Sequence, residues 1–165
     1  MAQTKLGEHV AITNGDLPAI GSTAPDFVLT GRDMKDLSLS RFAGQNLILN
    51  IFPSVDTSTC ATSVREFNKR AAALADTAVL CISKDLPFAM NRFCGAEGID
   101  RVFMGTDFRN RGFSTSYGVE LTNGGFAGLC ARAVVVIDKE GKIKYTELVP
   151  QIGQEPNYDA ALAAV

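Results

Sequence analysis

The sequence predicts an α/β domain in which helices flank a mixed central β-sheet, and three observations carry that expectation. "NLILNIF" (46–52) and "TAVLCIS" (77–83) are almost wholly apolar, as strands buried on both faces are. Between them, in "CATSVREFNKRAAAL" (60–74), Val64, Phe67, Ala71 and Leu74 recur at helical spacing. Further on, "RAVVVID" (132–138), the turn "KEGK" (139–142) and "IKYTEL" (143–148) form a hairpin pattern. A strand–helix–strand crossover followed by a hairpin gives a sheet with both parallel and antiparallel pairs.

The remaining elements fall around this frame. "HVAIT" (9–13) and "DFVLT" (26–30) read as short strands. In the helix at 60–74, Arg65, Glu66, Lys69 and Arg70 lie mostly off the apolar face. Ser63 and Glu66 have capping-box spacing, which offers a second, later start for it. Asp85 before Leu86-Pro87 marks a helix start and Gly95 its stop. "RVFMG" (101–105) reads as a strand, "NRGFSTSYG" (110–118) as a weak helix and "EPNYDAALAAV" (155–165) as a closing helix. No repeat, low-complexity segment or linker divides the chain, so residues 1–165 are expected to form one domain.

Composition excludes several functions. The chain is 46% hydrophobic and 21% charged, with a net charge of −2. Arg109 and Arg111 are too small a basic stretch to make nucleic acid an expected partner. No apolar run has the length of a membrane span. The N-terminal "MAQTKLGEHVAITNG" lacks the apolar segment of a signal peptide, which makes a cytoplasmic location the expectation and leaves the periplasm open.

Four cysteines need explaining: Cys60, Cys81, Cys94 and Cys130. None forms a C-x-x-C pair and His9 is the only histidine, so no metal site is expected. Cys81, in a buried strand, reads as a small packing residue. Cys130 follows the glycine-rich "LTNGGFAGL" and its role stays open. Cys60 falls in the first turn of a helix just past the carboxyl end of a strand. Unpaired N–H groups and the helix dipole there favour a thiolate, the nucleophilic form. Cys94 closes a short helix flanked by glycine, where a thiolate is disfavoured but local opening costs little. Two readings fit the pair: an attacking and a resolving thiol, or two unrelated core thiols.

"FPSVDTSTC" then adds a pattern. Pro53, Thr57 and Cys60 match the P-x-x-x-T-x-x-C motif of peroxiredoxins. With "LCISKDLPFAMNRFCGAEG" (80–98) and "ARAVVVID" (131–138), the chain resembles the bacterial thiol peroxidases over nearly its whole length. That resemblance implies a thioredoxin-like fold with an N-terminal β-hairpin extension. It implies a peroxidase needing no cofactor, with Cys60 as the peroxidatic cysteine and Cys94 as the resolving one, joined as an intramolecular disulfide during turnover. Thr57 would hold sulfur and peroxide through its hydroxyl, Pro53 would shield the site from water, and Arg132 would be the site's arginine. Hydrogen peroxide and organic hydroperoxides are the implied substrates, thioredoxin the implied reductant and a homodimer the implied assembly. Cys130 matches nothing in that pattern.

Taken without the resemblance, Arg132 would be a solvated arginine opening a strand and Thr57 a turn former. Phe88, Met90 and Phe93, near Cys94, could favour organic hydroperoxides. Because a folded first turn would keep Cys60 away from Cys94, the start of helix 60–74 and helix 86–94 are both expected to loosen for the disulfide to form. A thiol–disulfide oxidoreductase on the same fold lacks its C-x-x-C, and a peroxide-sensing switch stands as an alternative or added role.

Overall fold

The computed structural model describes residues Met1–Val165. A seven-stranded mixed sheet has the order β4-β3-β7-β6-β5-β8-β9. Its strands are β3 (Val28–Gly31), β4 (Asp36–Ser38), β5 (Asn46–Ile51), β6 (Thr77–Ser83), β7 (Phe103–Thr106), β8 (Ala133–Ile137) and β9 (Ile143–Leu148). β5, β6 and β7 are parallel neighbours, whereas β8 and β9 on one side and β3 and β4 on the other pair antiparallel. The helices are α1 (Ser58–Ala71), α2 (Pro87–Glu97), α3 (Phe113–Ser116) and α4 (Tyr158–Ala163), with a 3-10 turn at Leu39–Phe42. An N-terminal hairpin, β1 (Gln3–Leu6) against β2 (His9–Ile12), forms its own two-stranded sheet.

Each central strand is buried on both faces because each face has its own apolar cluster. Leu47, Leu49 and Ile51 of β5 point to one cluster with Phe27, Phe113, Tyr117 and Cys130. Ile48 points to the other, where α1 supplies Cys60, Val64 and Phe67 and α2 supplies Met90, Phe93 and Cys94. That division explains why β5 and β6 show an apolar run rather than an alternation.

Several expected boundaries move. The N-terminal hairpin that the resemblance implies is present, with the mostly polar β1 as its first strand, whereas the three-residue β4 was not expected. α1 begins at Ser58, two residues before Cys60, so the later start at Ser63 is not used. The Ser63 hydroxyl donates to the Cys60 carbonyl (2.8 Å), and Glu66 accepts from Arg70 Nε (2.7 Å), so neither caps. Gly95 does not stop α2. The helix runs through it to Glu97 and ends at Gly98, whose φ of 66° is the left-handed conformation that suits glycine. Nor does Asp85 cap α2: Leu86 holds that position and Pro87 opens the helix.

Candidate active site

The loop between β5 and α1 builds the site. The N–H of Phe52 still donates to Ile82 of β6 (3.0 Å), but Pro53 has no N–H and ends the ladder. Pro53 is buried. The Ser54 carbonyl accepts from the N–H and from the hydroxyl of Thr57, both at 3.2 Å. Thr57 is the helix cap residue, and its carbonyl accepts the helix bond from the Ala61 N–H (3.0 Å). Cys60 therefore stands in the first turn, fully buried in the cluster with Val64 and Phe67.

Arg132 comes to the same point from the start of β8. It is only 1% exposed, against the solvated strand opener that its position in sequence suggests. Its Nη2–H donates to Cys60 Sγ at 3.1 Å and its Nε–H to the Ile152 carbonyl at 2.7 Å. Nη1 is buried without a hydrogen-bond partner in the protein. A buried donor left unpaired carries a desolvation cost, and an oxygen arriving beside the sulfur would relieve it. A charged donor on sulfur bonds best to the ionised thiolate.

Of the residues singled out by sequence, Cys60 and Arg132 are in direct contact, and Thr57 and Pro53 frame the loop leading to them. The Thr57 hydroxyl is engaged by Ser54 and makes no hydrogen bond to the sulfur. Cys94 lies in the last turn of α2, 2% exposed and in the same apolar cluster as Cys60, with no bond to it. Burial pushes the Cys94 thiol up from its ordinary value, with Arg32 opposing weakly, so it is held as a thiol. Cys81 is buried and accepts a weak bond from Asn50 Nδ2 (3.6 Å). Cys130 is buried in the other cluster, across the sheet. All four cysteines are free thiols. Of the three apolar side chains expected near a substrate, Met90 and Phe93 are core residues, and only Phe88, 68% exposed, reaches the surface.

The buried Cys60 in the first turn of α1 and the buried Arg132 bonded to it are the two side chains that meet at this point. Residues 19–162 match the Redoxin family. The thiol peroxidases of Mycobacterium tuberculosis and Mycobacterium bovis are each 57% identical to this chain over 165 residues, covering 100% of it and 99% of each relative. The thiol peroxidase of Corynebacterium glutamicum is 50% identical over the same span. The chain belongs to the thiol peroxidases, within the peroxiredoxins. A peroxiredoxin-like protein from Aquifex aeolicus, 35% identical, superposes with a TM-score of 0.93 over 99% of this chain and 95% of its own. The thiol peroxidase from Chromobacterium violaceum shares the fold at 22% identity, with a TM-score of 0.89 over 96% of this chain and 91% of its own.

Two residues of this thiol peroxidase site escaped the sequence reading. Ile152 contributes only a backbone carbonyl, which no side-chain pattern signals. Asp85 was visible as a helix-start residue, but its carboxylate turns instead to the Ser54–Val55 loop.

Proposed function

We propose that residues 1–165 act as a single thioredoxin-like peroxiredoxin domain that reduces hydrogen peroxide and organic hydroperoxides, with Cys60 as nucleophile. The observation that carries this reading is the 3.1 Å bond from Arg132 to the Cys60 sulfur, with both residues buried. The thiolate attacks one peroxide oxygen: an S–O bond forms, the O–O bond breaks, and the electron pair goes to the departing oxygen. That oxygen takes a proton and leaves as water or an alcohol, and Cys60 becomes a sulfenic acid. Arg132 Nη2 meets the negative charge on sulfur, and the unpaired Nη1 is the donor for charge growing on oxygen. Thr57 needs only to release Ser54 for its hydroxyl to serve the incoming peroxide, and Pro53 keeps the loop closed to water.

The Cys94 thiol then condenses with the sulfenic acid, forming an S–S bond and releasing water. Both sulfurs are buried in folded helices, so the start of α1 and the last turn of α2 loosen for this step. A dithiol reductant of thioredoxin type restores both thiols by exchange. The active assembly is a homodimer working in the cytoplasm, and the exposure of Phe88 makes it the candidate to meet the organic part of a substrate.

The test is turnover with thioredoxin, its reductase and a nicotinamide reductant, following peroxide-dependent consumption of the last. Wild type is expected to turn over and Cys60→Ser to be inactive. Undiminished turnover in Cys60→Ser would end the proposal. Sedimentation of the reduced protein at micromolar concentration checks the dimer, and a monomer there would remove it.

A further inference from the structure

We infer that Asp85 is the positioning residue of the peroxidatic loop and ties that loop to the helix bearing Cys94; this rests on the function proposed above. Asp85 follows β6 by two residues and precedes the first residue of α2 by two. Its carboxylate accepts from the Ser54 hydroxyl (2.7 Å), the Val55 N–H (2.9 Å) and the Ser83 hydroxyl (2.6 Å). Ser83 also accepts from the N–H of Asp85 (3.2 Å), which fixes the direction of the carboxylate. None of these bonds goes to the backbone of α2, so the carboxylate is not a helix cap.

The bonds run on into the site. Asp85 orients the Ser54 hydroxyl, and that hydroxyl accepts from the Asp56 N–H (3.1 Å). The Ser54 carbonyl holds the N–H and hydroxyl of Thr57, and the Thr57 carbonyl accepts a first-turn bond of α1. Cys60 stands three residues on. The position of the sulfur under Arg132 thus traces back to one carboxylate from the next strand. Charged acceptors make the stronger hydrogen bonds, and this one takes a backbone N–H that has no other partner in the loop. When the start of α1 loosens to bring Cys60 to Cys94, it pulls on the Ser54–Thr57 loop that Asp85 holds, so the same bonds resist the resolving step.

The two steps should therefore respond in opposite directions. Asp85→Asn keeps the shape but presents an NH2 group where one oxygen accepted. Peroxide capture in competition with a haem peroxidase reads the first step alone, normalised to reactive Cys60. Quenched alkylation reads disulfide formation. For Asp85→Asn and Ser54→Ala, capture is expected to fall by about tenfold or more, because small misplacements of reacting groups are costly. Disulfide formation is expected to be no slower than in wild type. A capture rate within about twofold of wild type, with only a lower Tm, would reduce Asp85 to a structural role. If Asp85→Ala does not fold, the Asn and Ser54 variants still decide. Wild type that fails to capture peroxide would sink the proposed function instead, which keeps the two failures distinct.

Discussion

Arg132 is a fully buried arginine whose guanidinium bonds one backbone carbonyl and the Cys60 sulfur. Burying a guanidinium is expensive unless it is well paired, so its third nitrogen, without a partner, marks where a substrate oxygen should bond. Arg132→Lys keeps the charge but loses the fork that reaches Ile152 and Cys60 together. It should lower kcat/KM for peroxide by about a hundredfold, the range for one lost transition-state donor. Retention of most activity in Arg132→Lys would show that charge alone suffices. Burial in an apolar core pushes the Cys81 and Cys130 thiols up from 9.0 to about 12. Between those values the folded chain keeps a proton that the unfolded chain has lost. This stabilisation is complete below pH 9 and declines as pH rises towards 12. Thermal melts from pH 9 upward should show falling Tm, with a shallower slope in Cys130→Ala; equal slopes would contradict that assignment. Cys81 was readable as a core thiol because its strand is apolar from Ala78 to Ile82. The burial of Arg132 was not readable, because the carbonyl that accepts its Nε lies 20 residues along the chain.

At the scale of elements, α2 is held to its surroundings by contacts at the surface. Arg65 makes a two-pronged pair with Glu97 (2.8 and 3.0 Å), Arg92 pairs with Asp56 (2.7 Å), and Arg32 and Asn91 exchange two hydrogen bonds. Exposed pairs contribute little to global stability, but they act on the helix that must move. Glu97→Ala should speed disulfide formation a few-fold after peroxide while leaving Tm nearly unchanged. An unaltered rate of disulfide formation would mean that α2 opening does not limit resolution. The limits of α2 also show what local sequence hides. Gly95 and Gly98 are equally good stop signals in the string, yet only Gly98 takes the left-handed backbone. The helix runs two residues past the first glycine, to Glu97, whose carboxylate pairs with Arg65.

Across the whole molecule, the N-terminal hairpin reaches the site from the far end of the chain. The β1 residue Lys5 donates its N–H to Pro150 (3.0 Å) and accepts from the Ile152 N–H (2.8 Å), and the Thr4 hydroxyl donates to Val149 (2.7 Å). Ile152 is the residue whose carbonyl holds Arg132, so the hairpin braces the arginine from behind. Removing residues 1–12 should slow peroxide capture in chains that still melt cooperatively, and an unchanged capture rate would show the brace to be dispensable. The mixed sheet and its two buried strands followed from apolar runs and the hairpin pattern. This brace did not, because β1 is four residues long and joins the 149–152 segment through backbone atoms. Cys60 and Cys94 should act as one redox pair while Cys81 and Cys130 stay inert. That pairing is tested most directly by adding one equivalent of hydroperoxide to the reduced protein, alkylating free thiols and mapping the peptides by mass. Two thiols should be lost, with Cys60 joined to Cys94 within one chain and Cys81 and Cys130 alkylated after denaturation. A disulfide between two chains, or one containing Cys81 or Cys130, would contradict it.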